Sequence, residues 1–331
     1  MSKYQFGDGV ILNVGIETTR GEASGSMKSI IGAEPTSFQD KVEKVVRTAT
    51  RNNRVMNAGS RLLQQYGEGG IVKDVMIETC LPFLYSLAGK YAVEELETGV
   101  FKHTFTPEPH KALHPTLTVE VMEEFMQSYR FLNAHVASGE FVVDTESNVK
   151  STYEFVGKKG AGIDYVAPTF STTDHDFVHH ETFIDLKDFG VAFTNENTVE
   201  AKKATISISN NGRRDTVIGN LGLNEVIGNK HEATVALEIN KLNDDQRDDF
   251  VNNTAKSIKV SMVRNDVTIG ATNKPTVSLI IPYMTPSNRE EVRPNDDTLS
   301  ETLNYEAGVE YSGTNVLYQV EVINTIPSLI A

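Results

Sequence analysis

The chain has 331 residues, of which 39% are hydrophobic and 23% charged, and its formal net charge is −14. This length suffices for two ordinary domain cores, and no apolar run approaches a transmembrane helix or a signal peptide. The acidic balance argues against ordinary duplex-DNA binding, which needs clustered lysine and arginine, and the single Cys80 excludes an internal disulfide. We therefore expect a protein made in the cytoplasm, with no membrane partner.

The segment from Thr18 to Gly70 is polar at its start and basic later. Its basic residues alternate with valine and leucine; those we single out are Lys41, Lys44, Arg47, Arg51 and Arg54. A nucleic-acid-binding helix is one interpretation, but acidic residues dilute the charge and no aromatic platform accompanies it. We instead expect a long loop or arm that is poorly ordered in the monomer and packs on an acidic neighbouring subunit.

The next elements predicted are a strand, VMIE (75–78), and a helix, LPFLYSLAGKY (81–91). Pro82 is tolerated in a first helical turn, and Gly89 is a suitable terminator. Cys80, just before the helix, is expected to be a small buried hydrophobe rather than a nucleophile.

Residues 103–160 read as consecutive strands. HTFTPEPHKALHPTLTVEV (103–121) is two β-rich runs around a proline-rich turn, YRFLNAHVASGEFVVD (129–144) is predicted as a hairpin, and KSTYEFVGKKG (150–160) as a further strand. His103, His110 and His114 surround the turn without a matched acid, so we expect them to be turn and surface residues.

The second half begins with DHDFVHHE (174–181), the one segment that resembles a metal site. His175 and His179 have the spacing of ligands on a helix, but the order of a zinc-protease motif is missing, and a solvated interdomain loop is the stronger interpretation. No motif for acyl transfer, phosphoryl transfer or dinucleotide binding is present.

Strands dominate the remainder. HEATVALEI (231–239) alternates strictly, and 203–211, 257–265, 275–283 and 315–325 behave similarly. One helix is predicted in NKLNDDQRDDFVNNTAKS, with Asn243 as its cap and Lys256 in its last turn.

Each predicted helix follows a strand that carries an acidic residue, VMIE (75–78) in one case and VALE (235–238) in the other. The constant offset between the two strand–helix pairs indicates an internal duplication with units at 1–165 and 166–331, the first including the arm at 18–70. Two β-rich domains that look alike only by composition remain the alternative. The acidic excess is 4 in the first unit and 10 in the second.

Residues 103–159 resemble the tail tube proteins of long-tailed, non-contractile bacteriophages, the siphophages. In those proteins an HTFT…LPSLTVE pair is followed by a hairpin and a vdlvgkk strand. The matching positions are His103, Thr104, Phe105, Thr106, Leu117, Thr118, Val119, Glu120, Val156, Gly157, Lys158 and Lys159. The resemblance implies an all-β fold with short helices, in which duplicated β-sandwich units contribute strands to an inter-subunit β-barrel ring.

The resemblance also implies a function. Rings of three chains with six pseudo-equivalent units, or of six chains, would stack into the virion tail tube that conducts DNA, after assembly in the host cytoplasm. The implied partners are the chain itself, a tape measure protein, and tail terminator and tip proteins; no cofactor and no enzymatic activity are implied. An acidic wall would let DNA pass without binding, and the candidates for the lumen are Glu78, Glu238, Asp74 and Glu232. The basic arm would contact the adjacent ring.

Two alternatives stay open at this point. One is the inner tube of a contractile injection apparatus, and the other is a β-sandwich metal-dependent enzyme that uses residues 174–181.

Overall fold

The structure is a computed structural model that describes residues 10–31, 34, 37–48, 57–108, 113–241, 244–293, 298–310 and 316–329. Strand accounts for 56% of the structure, and its described residues contain two short helices, which confirms the mainly-β prediction. Neither helix is long and apolar enough to cross a membrane in the part of the chain described.

The first-half strands are β1 (Val10–Ile16), β2 (Lys28–Ser29), β3 (Gln39–Thr48), β4 (Asn57–Asp74), β5 (Gly89–Glu97), β6 (Val100–Pro107), β7 (Leu117–Glu123), β8 (Ser128–Asp144), β9 (Lys150–Gly157) and β10 (Ala161–Ile163). The second-half strands are β11 (Thr182–Asp188), β12 (Ala201–Ser209), β13 (Arg213–Asp215), β14 (Glu225–Ile227), β15 (Glu232–Asn240), β16 (Lys256–Val263), β17 (Thr276–Val292), β18 (Ser300–Ala307) and β19 (Gln319–Asn324). The helices are α1 (Leu81–Ala88) and α2 (Asp245–Asn252), and a 3-10 turn covers His179–Glu181.

Eight antiparallel strands form one continuous layer, which we call the main sheet. Their order across the layer is β3, β4, β9, β8, β12, β15, β18 and β17. The first four strands come from the first half of the chain and the last four from the second. The two halves meet where β8 pairs with β12.

Two smaller layers cover one face of the main sheet. One contains β2, β1, β7, the first part of β8, and β10. The other contains β11, β16, the first part of β17, β19, β6 and β5. Alternate residues of the main sheet, such as Phe141, Ile206 and Leu237, point toward these layers and form the core. The architecture is therefore two sandwiches side by side, and the second sandwich includes β5 and β6 from the first half of the chain.

The hairpin predicted at 129–144 is wrong, because these residues form the single 17-residue strand β8. A sequence SGE in a strand looks like a turn, but Gly139 has no positive φ and lies in the pairing with both β9 and β12. The strand instead bends at irregularities in its pairing, one opposite Leu117/Val119 and one at Val136/Ser138. These bends let one strand serve two layers.

The second long strand, β17, repeats the irregularities of β8 at matched positions. The pairing of β8 with β9 shifts between Val136 and Ser138, and that of β17 with β18 shifts between Pro286 and Asn288. Each long strand has a second shift, which lies at Phe131 in the pairing of β8 with β7 and at Ile281 in the pairing of β17 with β16. Along the chain, Phe131 and Ile281 are separated by the same number of residues as Val136 and Pro286. Bulges re-aim a strand and are specific features of a fold rather than accidents. The two halves thus share strand order and local geometry.

Helix α1 ends where it was predicted to end, at Gly89, whose φ of 90° suits glycine. The strand predicted at 75–78 is wrong, since these residues make an isolated bridge and then a turn into α1. Lys256 does not lie in the last turn of α2 but begins β16, from which its Nζ still reaches Asp249 Oδ2 at 2.6 Å. The proposed cap Asn243 lies outside the described residues, and the N-cap position is occupied by Asp244.

Candidate functional site

The face of the main sheet that points away from the core is rich in carboxylates. Strand register places on one face, at paired positions of the described strands, ten acidic side chains and three lysines. The acidic ones are Glu43, Glu68, Asp74, Glu140, Asp144, Glu154, Glu232, Glu238, Glu290 and Glu306, and the lysines are Lys41, Lys150 and Lys203. We call this surface the acidic face.

Three of the four lumen candidates lie on the acidic face. Asp74 is opposite Lys150, Glu238 is opposite Lys203, and Glu232 begins β15 as an exposed residue. Lys203 also lies 3.8 Å from Asp144 across the β8–β12 pairing. Because acidic side chains outnumber lysines, the net charge of the face is negative.

Glu78, the fourth candidate, is placed elsewhere. It lies in the turn before α1 and is 7% exposed, and its carboxylate accepts hydrogen bonds from Ser171 at 3.0 Å and Thr173 at 2.5 Å. Register shows that it is not the counterpart of Glu238: Val72 and Glu238 occupy matched positions, each opposite a threonine of the next strand. The offset that aligned VMIE with VALE is therefore wrong for this strand.

The segment expected to be a long loop is a β-hairpin in the described residues. β3 and β4 pair with two register shifts and extend beyond the main sheet, and we call residues 42–48 and 57–65 the long hairpin. Valine and leucine side chains are exposed on it, namely Val42, Val45, Val46, Leu62 and Leu63. Their alternation with charged residues is a strand pattern that is obscured in the sequence, because the bulge between Glu43 and Lys44 breaks its period.

Three of the five basic candidates of the arm lie in β3. Lys41 lies at the base of the long hairpin, half-buried, and Lys44 is exposed farther along β3. Arg47 belongs to β3 as well, whereas Arg51 and Arg54 lie outside the described residues. The hairpin thus presents both positive charge and apolar side chains.

The base of the long hairpin is held by the β13–β14 hairpin of the second half. Tyr66 packs in a small apolar cluster with Leu223 and Val226. Gln65 forms a bridge with Gly222 and its N–H donates to the Leu221 carbonyl at 2.9 Å. These contacts set the direction in which the long hairpin leaves the sheet.

Both outer strands of the main sheet have one side without a strand partner in the described part of the chain. β3 pairs only with β4, and β17 pairs only with β18 from Thr285 to Val292. Two open edges of this length invite pairing with another chain. These edges could not be predicted from the sequence, since the alternation of a strand does not reveal which neighbour it lacks.

The segment 174–181 is a structural connection rather than the solvated loop expected. Asp174 is buried and accepts a hydrogen bond from the Glu78 N–H at 2.7 Å, while Arg264 binds Asp176 at 2.8 Å and lies 3.6 Å from Glu181. Among the residues described, no group of histidine, cysteine and acidic side chains is arranged to hold a metal ion.

The histidines near the proline-rich turn are buried, contrary to expectation. His103 hydrogen-bonds to Tyr91 and to Asn324 of β19, both at 2.9 Å, and so joins the two halves. His114, His135 and His231 form a second group with ring centroids 5.2 Å apart for each pair that includes His114. Burial lowers the pKa of His135 to about 3 and that of His231 to about 4, and the His114 ring acts in the same direction. His110 lies outside the described residues.

Cys80 is fully buried, as predicted, and burial raises the pKa of its thiol to about 12.

No curated protein matches the chain. The sequence model of a family described as phage tail tube protein matches residues 7–307, which is most of the chain. With its strand-rich fold, its acidic face and its open edges, the chain belongs to the phage tail tube protein family, and is a structural protein of the virion tail rather than an enzyme.

Proposed function

We propose that three copies of the chain close into a ring of six pseudo-equivalent units, and that such rings stack into the tube of a siphophage tail. The observation that carries this proposal is the main sheet, in which each half of the chain contributes four strands in the same order. The matched bulges of β8 and β17 support an origin by duplication, with units at 1–165 and 166–331.

The acidic face forms the wall of the lumen in this proposal. Its other side packs against the core, so this is the one face of the main sheet that can line a channel. Asp74, Glu232 and Glu238 lie on it, and Glu78 is replaced as a candidate by Glu140 and Glu290 on the same face. DNA gains no counterion release from a wall of like charge, so it slides past without sticking.

The long hairpin contacts the adjacent ring in this proposal. It extends past the sheet, carries exposed valine and leucine side chains, and is basic, with Lys41 at its base and Lys44 and Arg47 along it. The acidic excess of the second half supplies a complementary charge. A tape measure protein in the lumen, and terminator and tip proteins at the tube ends, are the further partners that the family resemblance suggests.

Ring symmetry tests the proposal. Electron microscopy and native mass measurement of the concentrated protein should give tubes whose rings contain three chains. A ring of six chains, each lining the tube with one unit only, would contradict it.

The lumen is tested separately in assembled tubes. A Glu232→Lys/Glu238→Lys variant should bind double-stranded DNA with a marked salt dependence, while the wild-type tubes bind little. Glu146→Lys/Glu196→Lys changes the charge equally at two exposed positions outside the strands, and should bind less DNA than the first variant. Equal DNA binding by wild-type tubes and Glu232→Lys/Glu238→Lys tubes would contradict the assignment of this face.

A further inference from the structure

Inside the chain, β8 pairs with β12, and this pairing serves as a template for a junction between two chains. We propose that β3 of one copy pairs antiparallel with the final part of β17 of a second copy, in one register. In this register Lys41 lies opposite Asn288, Gln39 opposite Glu290, and Ser37 opposite Val292. The inference rests on the proposed ring, and it adds which strands pair between neighbouring chains and in which register.

The template is the junction between the two halves. There Ser209 lies opposite Ser138, Ser207 opposite Glu140, and Thr205 opposite Val142. The Ser207 hydroxyl donates to Glu140 Oε2 at 3.2 Å. If the two halves are equivalent units, the same junction must recur between the second unit of one chain and the first unit of the next.

The equivalence of β8 and β17 fixes one side of the register. In the β8–β9 hairpin Val142 lies opposite Lys150, and in the β17–β18 hairpin Val292 lies opposite Ser300. The number of residues that separates Val142 from Val292 along the chain is the same as that between Lys150 and Ser300. The bulge of each long strand precedes this pair by the same distance. Glu290 is therefore the counterpart of Glu140.

The equivalence of β3 and β12 fixes the other side through their shared neighbours. Gln39 lies opposite Glu68, which lies opposite Val156. Ser207 lies opposite Thr234, which lies opposite Glu306. Val156 and Glu306 are related by the displacement that relates β9 to β18, and hence Gln39 is the counterpart of Ser207.

Neither edge has a second strand partner among the described strands. Within the described strands, β3 has β4 on one side only, and β17 loses β16 as a partner after Met284. The β3 edge of one copy meets the β17 edge of the next, so the two partners use different surfaces and the association is head-to-tail. Such an association closes into a ring when the rotation between neighbouring copies is a whole fraction of a turn. A second copy of the chain is consequently the occupant we propose.

The side chains on the acidic face fit the register. Glu290 repeats the acceptor Glu140, and Gln39 supplies an amide donor where Ser207 supplies a hydroxyl. The hydrogen bond that joins the two halves inside the chain can therefore recur between chains.

The side chains on the other face of the same strands also fit. Asp40 comes opposite Arg289, and opposite charges in cross-strand pairs are favourable. Asp40 is exposed in the single chain, where it accepts a hydrogen bond from the Gly160 N–H at 2.8 Å. Arg289 already binds the buried Glu301, with its Nε 2.7 Å from Oε2, so Asp40 would extend an existing ion pair.

Disulfide trapping tests the register. The Ser37 N–H donates to the Gly70 carbonyl at 3.0 Å, so the backbone groups of residues 37, 39 and 41 point toward β4. Toward the incoming strand these positions form the non-hydrogen-bonded pairs, whose Cβ atoms come closest and suit a disulfide. Cys80 is buried and does not interfere.

The variant Gln39→Cys/Glu290→Cys should form disulfides between chains in assembled rings, giving covalent species up to three chains on non-reducing gels. Glu140→Cys/Ser207→Cys is the matched control, because it places the same pair within one chain and should cross-link before assembly. Lys41→Cys/Glu290→Cys shifts the pair by two positions and should cross-link at least tenfold less.

Each other outcome overturns the register. Stronger linkage by the shifted pair would show a different register, and linkage by Gln39→Cys alone would show that two β3 edges meet. If tubes form without the expected linkage, the junction is wrong while the proposed function stands. If the wild-type protein forms no rings at all, the proposed function fails and the junction fails with it.

Discussion

The guanidinium of Arg214 lies over the ring of Tyr66, with its central carbon 4.1 Å from the ring centroid. Its Nη1 is 2.8 Å from Oε1 of Glu43, which also accepts a hydrogen bond from the Tyr66 hydroxyl at 3.1 Å. Arg214 belongs to the second half of the chain, whereas Tyr66 and Glu43 belong to the long hairpin and its base. This contact therefore holds the long hairpin against the second half of the same chain.

Arg214→Ala should lower the free energy of unfolding by about 1 kcal/mol, from the loss of a cation–π contact and a partly exposed ion pair. Urea denaturation measures the change. Arg213→Ala, at the exposed neighbouring position, should have little effect. Equal losses in the two variants would mean that the stacking on Tyr66 contributes nothing measurable.

Two histidines whose pKa is lowered by desolvation predict that stability falls in acid. His135 and His231 have pKa values of about 3 and about 4 in the folded protein, below the value of about 6.5 for an unfolded chain. The unfolded chain therefore binds more protons between these limits, so the stability that the two groups contribute above pH 6.5 is lost as the pH falls toward 4 for His231 and toward 3 for His135. Thermal unfolding at several pH values measures this slope.

A His231→Gln variant should show a shallower loss of stability between pH 6.5 and 4 than the wild-type protein. His180→Gln, at an exposed histidine, provides the control and should keep the wild-type slope. An unchanged slope in His231→Gln would assign the acid sensitivity to other groups.

Asn133 should be sensitive to substitution because of its backbone. It lies in β8 with a φ of 53°, and its N–H donates to Glu17 Oε1 at 2.7 Å. Asn133→Ala should cost about 1 kcal/mol, since a side chain without the local hydrogen bonding of asparagine is strained in this conformation. Asn133→Gly should cost less, and chemical denaturation of the pair decides. A glycine variant that is the less stable of the two would contradict the strain.

The long hairpin should be required for tubes but not for folding. Replacing residues 44–63 by Asn-Gly joins Glu43 to Gln64 through a two-residue turn and keeps the contact with Arg214. The variant should keep the β-rich circular dichroism of the wild type and form no long tubes in electron microscopy. A wider deletion of 36–62 is less suitable, because it removes Phe38, which packs edge-on against Phe131 with centroids 4.5 Å apart.

Charge on the hairpin should act on the rate of assembly. Lys44→Glu/Arg61→Glu should slow tube formation at low salt, and the wild type should slow as salt rises, because ion pairs steer association and are screened. Light scattering follows the rate. If the rate of tube growth changed neither with salt nor with these substitutions, the charges of the hairpin would not contribute to assembly, and only its apolar side chains could.

Much of the fold could be predicted from local pattern. The alternation of HEATVALEI indicated the face that β15 buries, and Gly89 indicated the end of α1. The mainly-β class and the phage tail tube family were also predicted, since strand order and the residues around His103 and Leu117 carry them. These features depend on neighbours in sequence.

What could not be predicted depends on pairing at long range. Gly139 looks like a turn residue until two partner strands are known, and Glu78 looks exposed until Ser171 and Thr173 reach it. The duplication was inferred from one constant offset between the halves, yet different strands repeat after different distances, because the two halves differ in their connections. Register, and not spacing along the chain, identifies counterparts.

The covalent link between β8 and β12 changes the kinetics of building a tube. In a ring of three chains, half of the six joints are made during folding of the single polypeptide and are insensitive to dilution. Assembly of the ring then needs two associations instead of five, and each of the three avoided associations spares the translational and rotational entropy that it would cost. A fused pair of units should therefore nucleate tubes at lower protein concentration than the same units supplied as separate chains.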